Sequence, residues 1–286
     1  MHELVNYYPS IKHNFVFSKE EYDGVRGLWK FGRGIRRKEK FDLFISLPDS
    51  FSSALMGYAT GTKKRVGYKK EGRDMLLTSS FAKEKRLHRV EEYVRLLELY
   101  TGKERADLSV RLQHSFAKDD HIVININSEA SSRRLTVQKA VEIISAVRNE
   151  CTNKIVLVGS KQEKDFVEEV WQKLENKRDV ESVAGKTSLK ELVQLLASAK
   201  LMLTTDSGPA HLANALGTET VVLFGAGNEN NTAPFQKENL QVVRLGKLSC
   251  EPCTKNVCIQ FGTPQCLELL ETSQILSALK LKTATK

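Results

Sequence analysis

At 286 residues the chain is long enough for two domains of roughly 150 residues each, and its 41% hydrophobic and 28% charged content suits packed globular domains rather than a disordered chain. Its longest apolar runs, such as Ile122 to Ile126 and Thr220 to Phe224, are strand-sized, which excludes a helix that crosses a bilayer, since that needs roughly 20 apolar residues. A formal charge of +9 calls for anionic partners (phosphates, nucleic acid or an acidic membrane surface), and the opening MHELVNYYPS lacks the basic-then-apolar order of a secretory signal, so a cytoplasmic location is expected.

The first part of the chain carries strand candidates at Asn14–Phe17 and Phe41–Leu47 and a helix at Arg89–Leu99. It is also the more basic part. Lys30 through Lys40 reads as a solvated charged face, and Lys63, Lys64, Arg65, Lys69, Lys70 and Arg73 make a second cluster. The polar stretch from Tyr100 to Lys118 is a linker candidate, which gives domains 1–117 and 118–286.

From Lys118 onward short β-branched runs alternate with amphipathic stretches, the pattern of βαβ units around a parallel sheet. The strands are placed at His121–Ile126, Lys154–Val158, Val180–Val183, Leu201–Thr204 and Thr220–Phe224. The helices between them fall at Val137–Val147, Glu163–Leu174, Leu189–Ala197 and Pro209–Leu216, where apolar residues recur near every 3.6 positions. A short amphipathic helix at Ser273–Leu281 closes the chain.

The segment that points most clearly to chemistry is Thr204-Thr205-Asp206-Ser207-Gly208-Pro209-Ala210-His211-Leu212-Ala213, a strand end, a tight loop and a helix start. Asp206 or Ser207 can cap the helix and Pro209 suits its first turn. Backbone N–H groups there create a positive end that accepts phosphate, with His211 as an added donor. An ordinary capped helix accounts for the same residues, so the stretch alone leaves both readings open.

Together with Ala215-Leu216-Gly217, Leu223-Phe224-Gly225 and Asn228, this stretch resembles the donor-site signature of the heptosyltransferases, glycosyltransferase family 9, and the heptosyltransferase II type among them. Further segments agree: Asn127-Ser128-Glu129-Ala130 with Arg133-Arg134, Val158-Gly159-Ser160 with Glu163, and Ala184-Gly185-Lys186-Thr187-Ser188-Leu189. Leu47-Pro48-Asp49-Ser50-Phe51-Ser52-Ser53-Ala54 and Arg65-Val66-Gly67-Tyr68 resemble segments of the family's acceptor domain.

The resemblance implies an α/β, GT-B-like fold of two Rossmann-like domains with parallel sheets, the N-terminal one truncated. It implies transfer of heptose from ADP-heptose to the lipopolysaccharide inner core, with no metal and no cofactor. Donor contacts are then expected from Ser128, Arg133, Glu163, Asp206, Ser207, Gly208 and His211: Ser207, Gly208, His211 and Arg133 at the pyrophosphate, Asp206 at the sugar, Glu163 at the ribose. Lys63, Lys64, Arg65, Lys69 and Arg73 are expected to face the anionic acceptor, with peripheral contact at the inner membrane. Two departures stand out, Arg133 where many relatives carry Lys and Leu135 in place of an aromatic residue.

Family members begin with a strand ending in a Gly-Asp pair whose carboxylate is the general base, and the match here starts near Asn6-Tyr7-Tyr8-Pro9, after it. The expectation is a chain that binds a nucleotide sugar and turns it over poorly, with Asp49 read either as a strand-end or cap residue or as a carboxylate that substitutes for the base. The alternative is a non-catalytic sugar-nucleotide-binding homologue. A nucleic-acid binder is disfavoured, since a helix-turn-helix, an aromatic RNA-binding stripe and a zinc-finger His pair are all missing. Cys250, Cys253, Cys258 and Cys266 follow C-x2-C-x4-C-x7-C beside a separate Cys151, a spacing open to a structural zinc, reduced thiols or a disulfide.

Overall fold

A computed structural model describes residues 2–8, 10–70, 72–105 and 107–281 and separates into two compact units, Met1–Leu108 and Ser109–Lys286. The division falls inside the polar stretch between residues 100 and 118.

The first unit runs α1 (Gly24–Lys38), β1 (Leu43–Ser46), α2 (Phe51–Ala59), β2 (Lys64–Tyr68), β3 (Ser79–Phe81) and α3 (Arg89–Thr101). Its three strands are parallel in the order β1-β2-β3. Small residues permit the packing. A Cβ on Gly32 of α1 would lie 2.6 Å from the Cβ of Ala59, and one on Gly57 of α2 would lie 2.4 Å from the Phe44 ring, so α1, α2 and β1 approach at distances only glycine allows. Val66, Tyr68 and Leu96 form the buried core, and the Tyr68 hydroxyl donates to the Glu92 carbonyl at 2.5 Å.

Asn14–Phe17, expected to be a strand, is irregular. Phe17 packs edge-on to Phe31 (5.2 Å between centroids) and stacks on Tyr22 (5.9 Å). These aromatic residues pack side chain against side chain with Phe31 of α1 rather than pairing in a sheet, because β-propensity reflects fit to a half-buried surface rather than a backbone preference.

The second unit continues β4 (Ile122–Asn125), α4 (Val137–Glu150), β5 (Ile155–Leu157), α5 (Lys164–Gln172), β6 (Val180–Ser182), α6 (Leu189–Ser198), β7 (Leu201–Thr205), α7 (Gly208–Ala215), β8 (Glu219–Phe224), α8 (Glu229–Thr232), β9 (Leu240–Arg244), α9 (Gln265–Glu268) and α10 (Thr272–Leu279). Six parallel strands stand in the order β6-β5-β4-β7-β8-β9. Ile122, Ile124, Ile143, Ile144, Ile155 and Leu157 are among the largest fully buried side chains, as expected where helices cover both faces of a parallel sheet. Ser188 and Glu191 close a reciprocal cap on α6. The sheet's order reverses between β4 and β7, and in open α/β sheets the crevice beyond the carboxyl ends of such a strand pair is where ligands bind.

Candidate functional site

At that reversal the strand ends are tied together by buried side chains. The Asn125 amide donates to the Asn127 carbonyl (3.1 Å), Thr204 Oγ1 (3.2 Å) and Ser207 Oγ (2.9 Å), and the Asn127 amide donates to the Val158 carbonyl (3.1 Å). Thr205 Oγ1 donates to the Asn127 carbonyl as well. The ends of β4, β5 and β7 are thereby one polar unit, from which the loops 126–136, 159–163 and 206–208 emerge.

Ser207 occupies the N-cap position of α7, but its hydroxyl turns inward to Asn125, Thr204 and the Thr205 carbonyl and makes no cap bond. Capping by Ser207, one of the two sequence expectations, is thus not what its side chain does. With no side-chain cap and Pro209 in the first turn, the amino end of α7 carries its partial positive charge at Gly208, which lines both cavities of the crevice. A Cβ on Gly208 would meet nothing within 4 Å, which leaves that backbone open to close approach.

Beside it, Arg133 Nη1 lies 3.5 Å from Asp206 Oδ2. Asp206 is 5% exposed, and burial pushes its carboxyl above the usual range despite the opposing pull of Arg133 and Arg244, with Glu229 adding to the rise. Among the described residues, Arg133 Nε and Asp206 Oδ2 are both buried without a hydrogen-bond partner. Buried polar atoms are nearly always satisfied, so two such atoms together mark a place built to meet something else.

Two cavities flank the start of α7. The first, about 320 Å³, is bounded by Val158, Gly159, Glu163, Leu189 and Leu192; the second, about 660 Å³, by Arg133, Asp206, His211, Thr232 and Asn256. Ser128, Glu129, Ser207 and Gly208 line both. The seven residues expected at the donor therefore line two neighbouring cavities, with Glu163 at the first and Arg133, Asp206 and His211 at the second. One Glu163 oxygen accepts from the Ser160 N–H at 2.7 Å in a reciprocal cap.

Several residues of this region escaped sequence reasoning. A Cβ on Gly227 would fall 2.0 Å from Asp206 Oδ2, so only glycine leaves room for the carboxylate. Arg244 holds the loop behind it, donating to the Gly225 carbonyl (2.8 Å), the Gly227 carbonyl, Glu229 (2.6 Å) and Glu251 (3.2 Å). The Gly225-Ala226-Gly227 run after a strand was the available signal for the first; nothing local signals the second. Asn256 and Val257 come from the cysteine-rich loop, whose Lys255 and Asn256 carbonyls accept hydrogen bonds from Ser132 and Ser131.

Cys250, Cys253, Cys258 and Cys266 line one small cavity as free thiols. Burial, with Glu251, Cys253 and Cys258 adding to it, pushes the Cys266 thiol up to about 11. Among the described residues no set of three His, Cys, Asp or Glu side chains is arranged to hold a metal ion.

The residues expected at the acceptor do not form one patch. Arg73 is fully buried rather than surface-facing: its guanidinium donates to Ser46 Oγ (2.6 Å) and the Pro48 carbonyl (3.0 Å). Arg65 is held by the carbonyls of Leu76 (2.7 Å) and Thr62 (2.6 Å). Lys63 and Lys64 stand at the amino end of β2 and Lys69 just past its carboxyl end, so a strand's length separates the exposed lysines. Asp49 pairs with Lys83 (3.4 Å) and Lys70 (3.6 Å); burial pushes its carboxyl up, and the two lysines more than offset this, holding it below the usual range.

Residues 28–262 match the family model described as Glycosyltransferase family 9 (heptosyltransferase). The chain is similar to lipooligosaccharide heptosyltransferase 2 of Campylobacter jejuni (serotype O:6), 26% identical over 258 residues that cover 85% of this chain and 77% of that protein. It is 27% identical to lipopolysaccharide heptosyltransferase 2 of Escherichia coli K12 over 240 residues, 76% of this chain and 68% of the relative. Among solved structures, E. coli ADP-heptose lps heptosyltransferase II superposes with a TM-score of 0.72 at 25% identity, covering 88% of this chain and 79% of that one. A glycosyl transferase family 9 structure from Veillonella parvula has the same fold, with a TM-score of 0.79 at 19% identity over 97% of this chain and 84% of that one. Parallel-sheet α/β units of GT-B-like class, the family-like loops gathered at the sheet's reversal and the family match lead to one statement: this chain belongs to glycosyltransferase family 9, the heptosyltransferases.

Proposed function

We propose that the protein transfers heptose from ADP-heptose to the inner core of lipopolysaccharide, with the donor held across the two neighbouring cavities of the second unit. The observation that carries this reading is the pairing of two cavities through Ser128, Ser207 and Gly208 at an uncapped helix start. The adenosine lies against Val158, Leu189 and Leu192, where Glu163 offers its remaining oxygen to the ribose hydroxyls. The diphosphate meets the α7 N–H groups, Arg133 and His211, and the sugar lies beside Asp206. As the acceptor hydroxyl oxygen attacks the anomeric carbon and gives up its proton to water, the bond to the diphosphate breaks and ADP leaves with the electron pair. The charge growing on it is met by the positive helix end and Arg133 rather than by a metal ion.

On this reading Ser207 contributes its backbone, since its hydroxyl is engaged inward. Lys69, with Lys70, is the acceptor-facing remnant of the basic cluster. The acceptor is membrane-borne, so we place the protein at the cytoplasmic face of the inner membrane, in peripheral contact. Among the described residues no helix is long and apolar enough to cross a membrane.

A second reading, a binding homologue without turnover, draws on Asp49: a carboxylate paired with two lysines and held below its usual range is a weak proton acceptor. One pair of measurements separates the readings. Calorimetric titration with ADP-heptose tests the donor site, and release of ADP in the presence of heptose-deficient lipopolysaccharide tests transfer. Binding without release selects the second reading, and absence of binding removes both.

A further inference from the structure

The basic run that the sequence presented as a solvated face is a helix with an organised exterior. α1 carries six Lys or Arg residues, no acidic one, and buries Gly27, Phe31 and Gly32. At 100° per residue, Arg26, Arg33 and Arg37 lie opposite the buried stripe, Lys30 flanks it on one side, and Val25, Trp29 and Arg36 flank it on the other beside Gly32; Val25 and Trp29 are 66% and 38% exposed. Among the described residues none of these five cations is paired with a carboxylate. Trp29 lies against Tyr58 of α2 (5.9 Å between centroids), itself 45% exposed, and the Arg65 guanidinium sits 5.1 Å from the Tyr58 ring.

From this placement we infer that the outer face of α1, with Tyr58, is a docking surface for an anionic phospholipid bilayer. Two features select a lipid surface over other polyanions. Cations left without counter-charges at high local density are matched by a sheet of phosphates, with each Lys or Arg worth about a five-fold gain in affinity near such a surface. An exposed Val25 beside an exposed Trp29 gains from entering the headgroup boundary, where aromatic rings prefer to sit. A nucleic-acid backbone offers Val25 nothing, and Trp29 already has Tyr58 against its ring. The face thus has the composition of an interfacial amphipathic helix, with the difference that its inner side is the packing surface of a folded unit.

The inference supplies a surface for the membrane contact of the previous section and rests on that reading for the location only. Its test uses the full chain with Trp171→Phe, which leaves Trp29 as the sole tryptophan. The probes are vesicles made of equal parts phosphatidylglycerol and phosphatidylcholine, vesicles of phosphatidylcholine alone, and a short RNA duplex. We expect sedimentation with the anionic vesicles only, a blue shift of Trp29 emission on binding, and loss of binding as salt is raised. Joint replacement of Arg26→Gln, Arg33→Gln and Arg37→Gln, all exposed, should weaken binding on the order of a hundredfold, and Val25→Ser should reduce the blue shift without changing the salt dependence. Absence of vesicle binding, binding untouched by the triple replacement, or binding to RNA at least as tight with Trp29 unshifted overturns it. ADP-heptose titration in parallel keeps the readings apart: donor bound without vesicle binding sinks this inference alone, and vesicles bound without donor sinks the donor assignment alone.

Discussion

The two units build the same kind of parallel sheet to different degrees of enclosure. β4 is buried at every position with neighbours on both sides, whereas β1 stands at the edge of a three-stranded sheet with Leu43 36% exposed and Phe41 and Leu47 similarly open. Burial of apolar surface is the main favourable term in folding, so the second unit can hold a polar crevice in fixed geometry. The first spreads aromatic and basic surface outward.

The sharpest test of this contrast is amide exchange. Backbone amides of β4 and β7 should exchange at least a hundredfold more slowly than those of β1, because exposed, weakly covered segments open at much lower free energy than core strands. Uniform protection across both units would break the comparison. Gly227→Ala comes next: its Cβ cannot coexist with Asp206 Oδ2 at 2.0 Å, and forced overpacking costs about 1–3 kcal/mol, so both the melting temperature and ADP-heptose affinity should fall. An unchanged affinity would show that the Asp206 position is soft.

A paired exchange of effects then sharpens the division. Arg133→Ala should weaken ADP-heptose binding by about 1–3 kcal/mol, the scale of a charged hydrogen bond, with a smaller loss of thermal stability because buried Asp206 loses its nearby cation. Arg73→Ala should do the reverse, since it strips buried partners Ser46 and Pro48 of a cationic donor at about 1.5–3 kcal/mol. Denaturation and calorimetry on both variants decide the matter; donor loss on Arg73→Ala would contradict its placement.

The smallest effect is expected from Asp49. Its folded pKa lies below the ordinary 3.8, so it contributes stability that is present above 3.8 and lost as pH falls through the lowered value. Asp49→Asn should therefore cost less than about 1 kcal/mol at neutral pH, as partly exposed ion pairs do, with the difference closing on acidification. Asp206 has the opposite sign: its raised value makes its charge a burden on the folded state above 3.8 that disappears at lower pH. Denaturant titrations of Asp49→Asn at neutral and acid pH check the first statement.

The same contrast explains what could be read from the residues alone. Ile122–Asn125, Ile155–Leu157 and Leu201–Thr205 fall within a residue or two of expectation because a strand covered on both faces reads as a near-continuous apolar run. β9 was missed because Gln241 and Val242 on this edge strand are exposed. α1 was missed for another reason: four glycines and six cations look like a loop, and what holds the helix is Gly32 against Ala59, a contact made only in the folded unit. Arg73 reads as surface in any Lys/Arg-rich stretch; its burial depends on Ser46, Pro48 and Ser53, which come near it only through the β1–α2 turn. The residues that line the two cavities beside α7 were legible because helix starts and strand ends advertise themselves, while Gly227 and Arg244 act through Asp206 and a neighbouring loop.

The amide of Asn125 donates to one residue of the loop after β4, one residue of β7 and the residue that starts α7. Loops that would otherwise each lose freedom when a ligand arrives are therefore already immobilised by the folding of the sheet itself. Ordering costs of roughly 0.5–1.5 kcal/mol per immobilised side chain are then borne before binding. Affinity at such a crevice is tuned from inside the core: Asn125→Ala changes no atom that lines the second cavity, yet it returns to the ligand the entropy cost of assembling that cavity's walls.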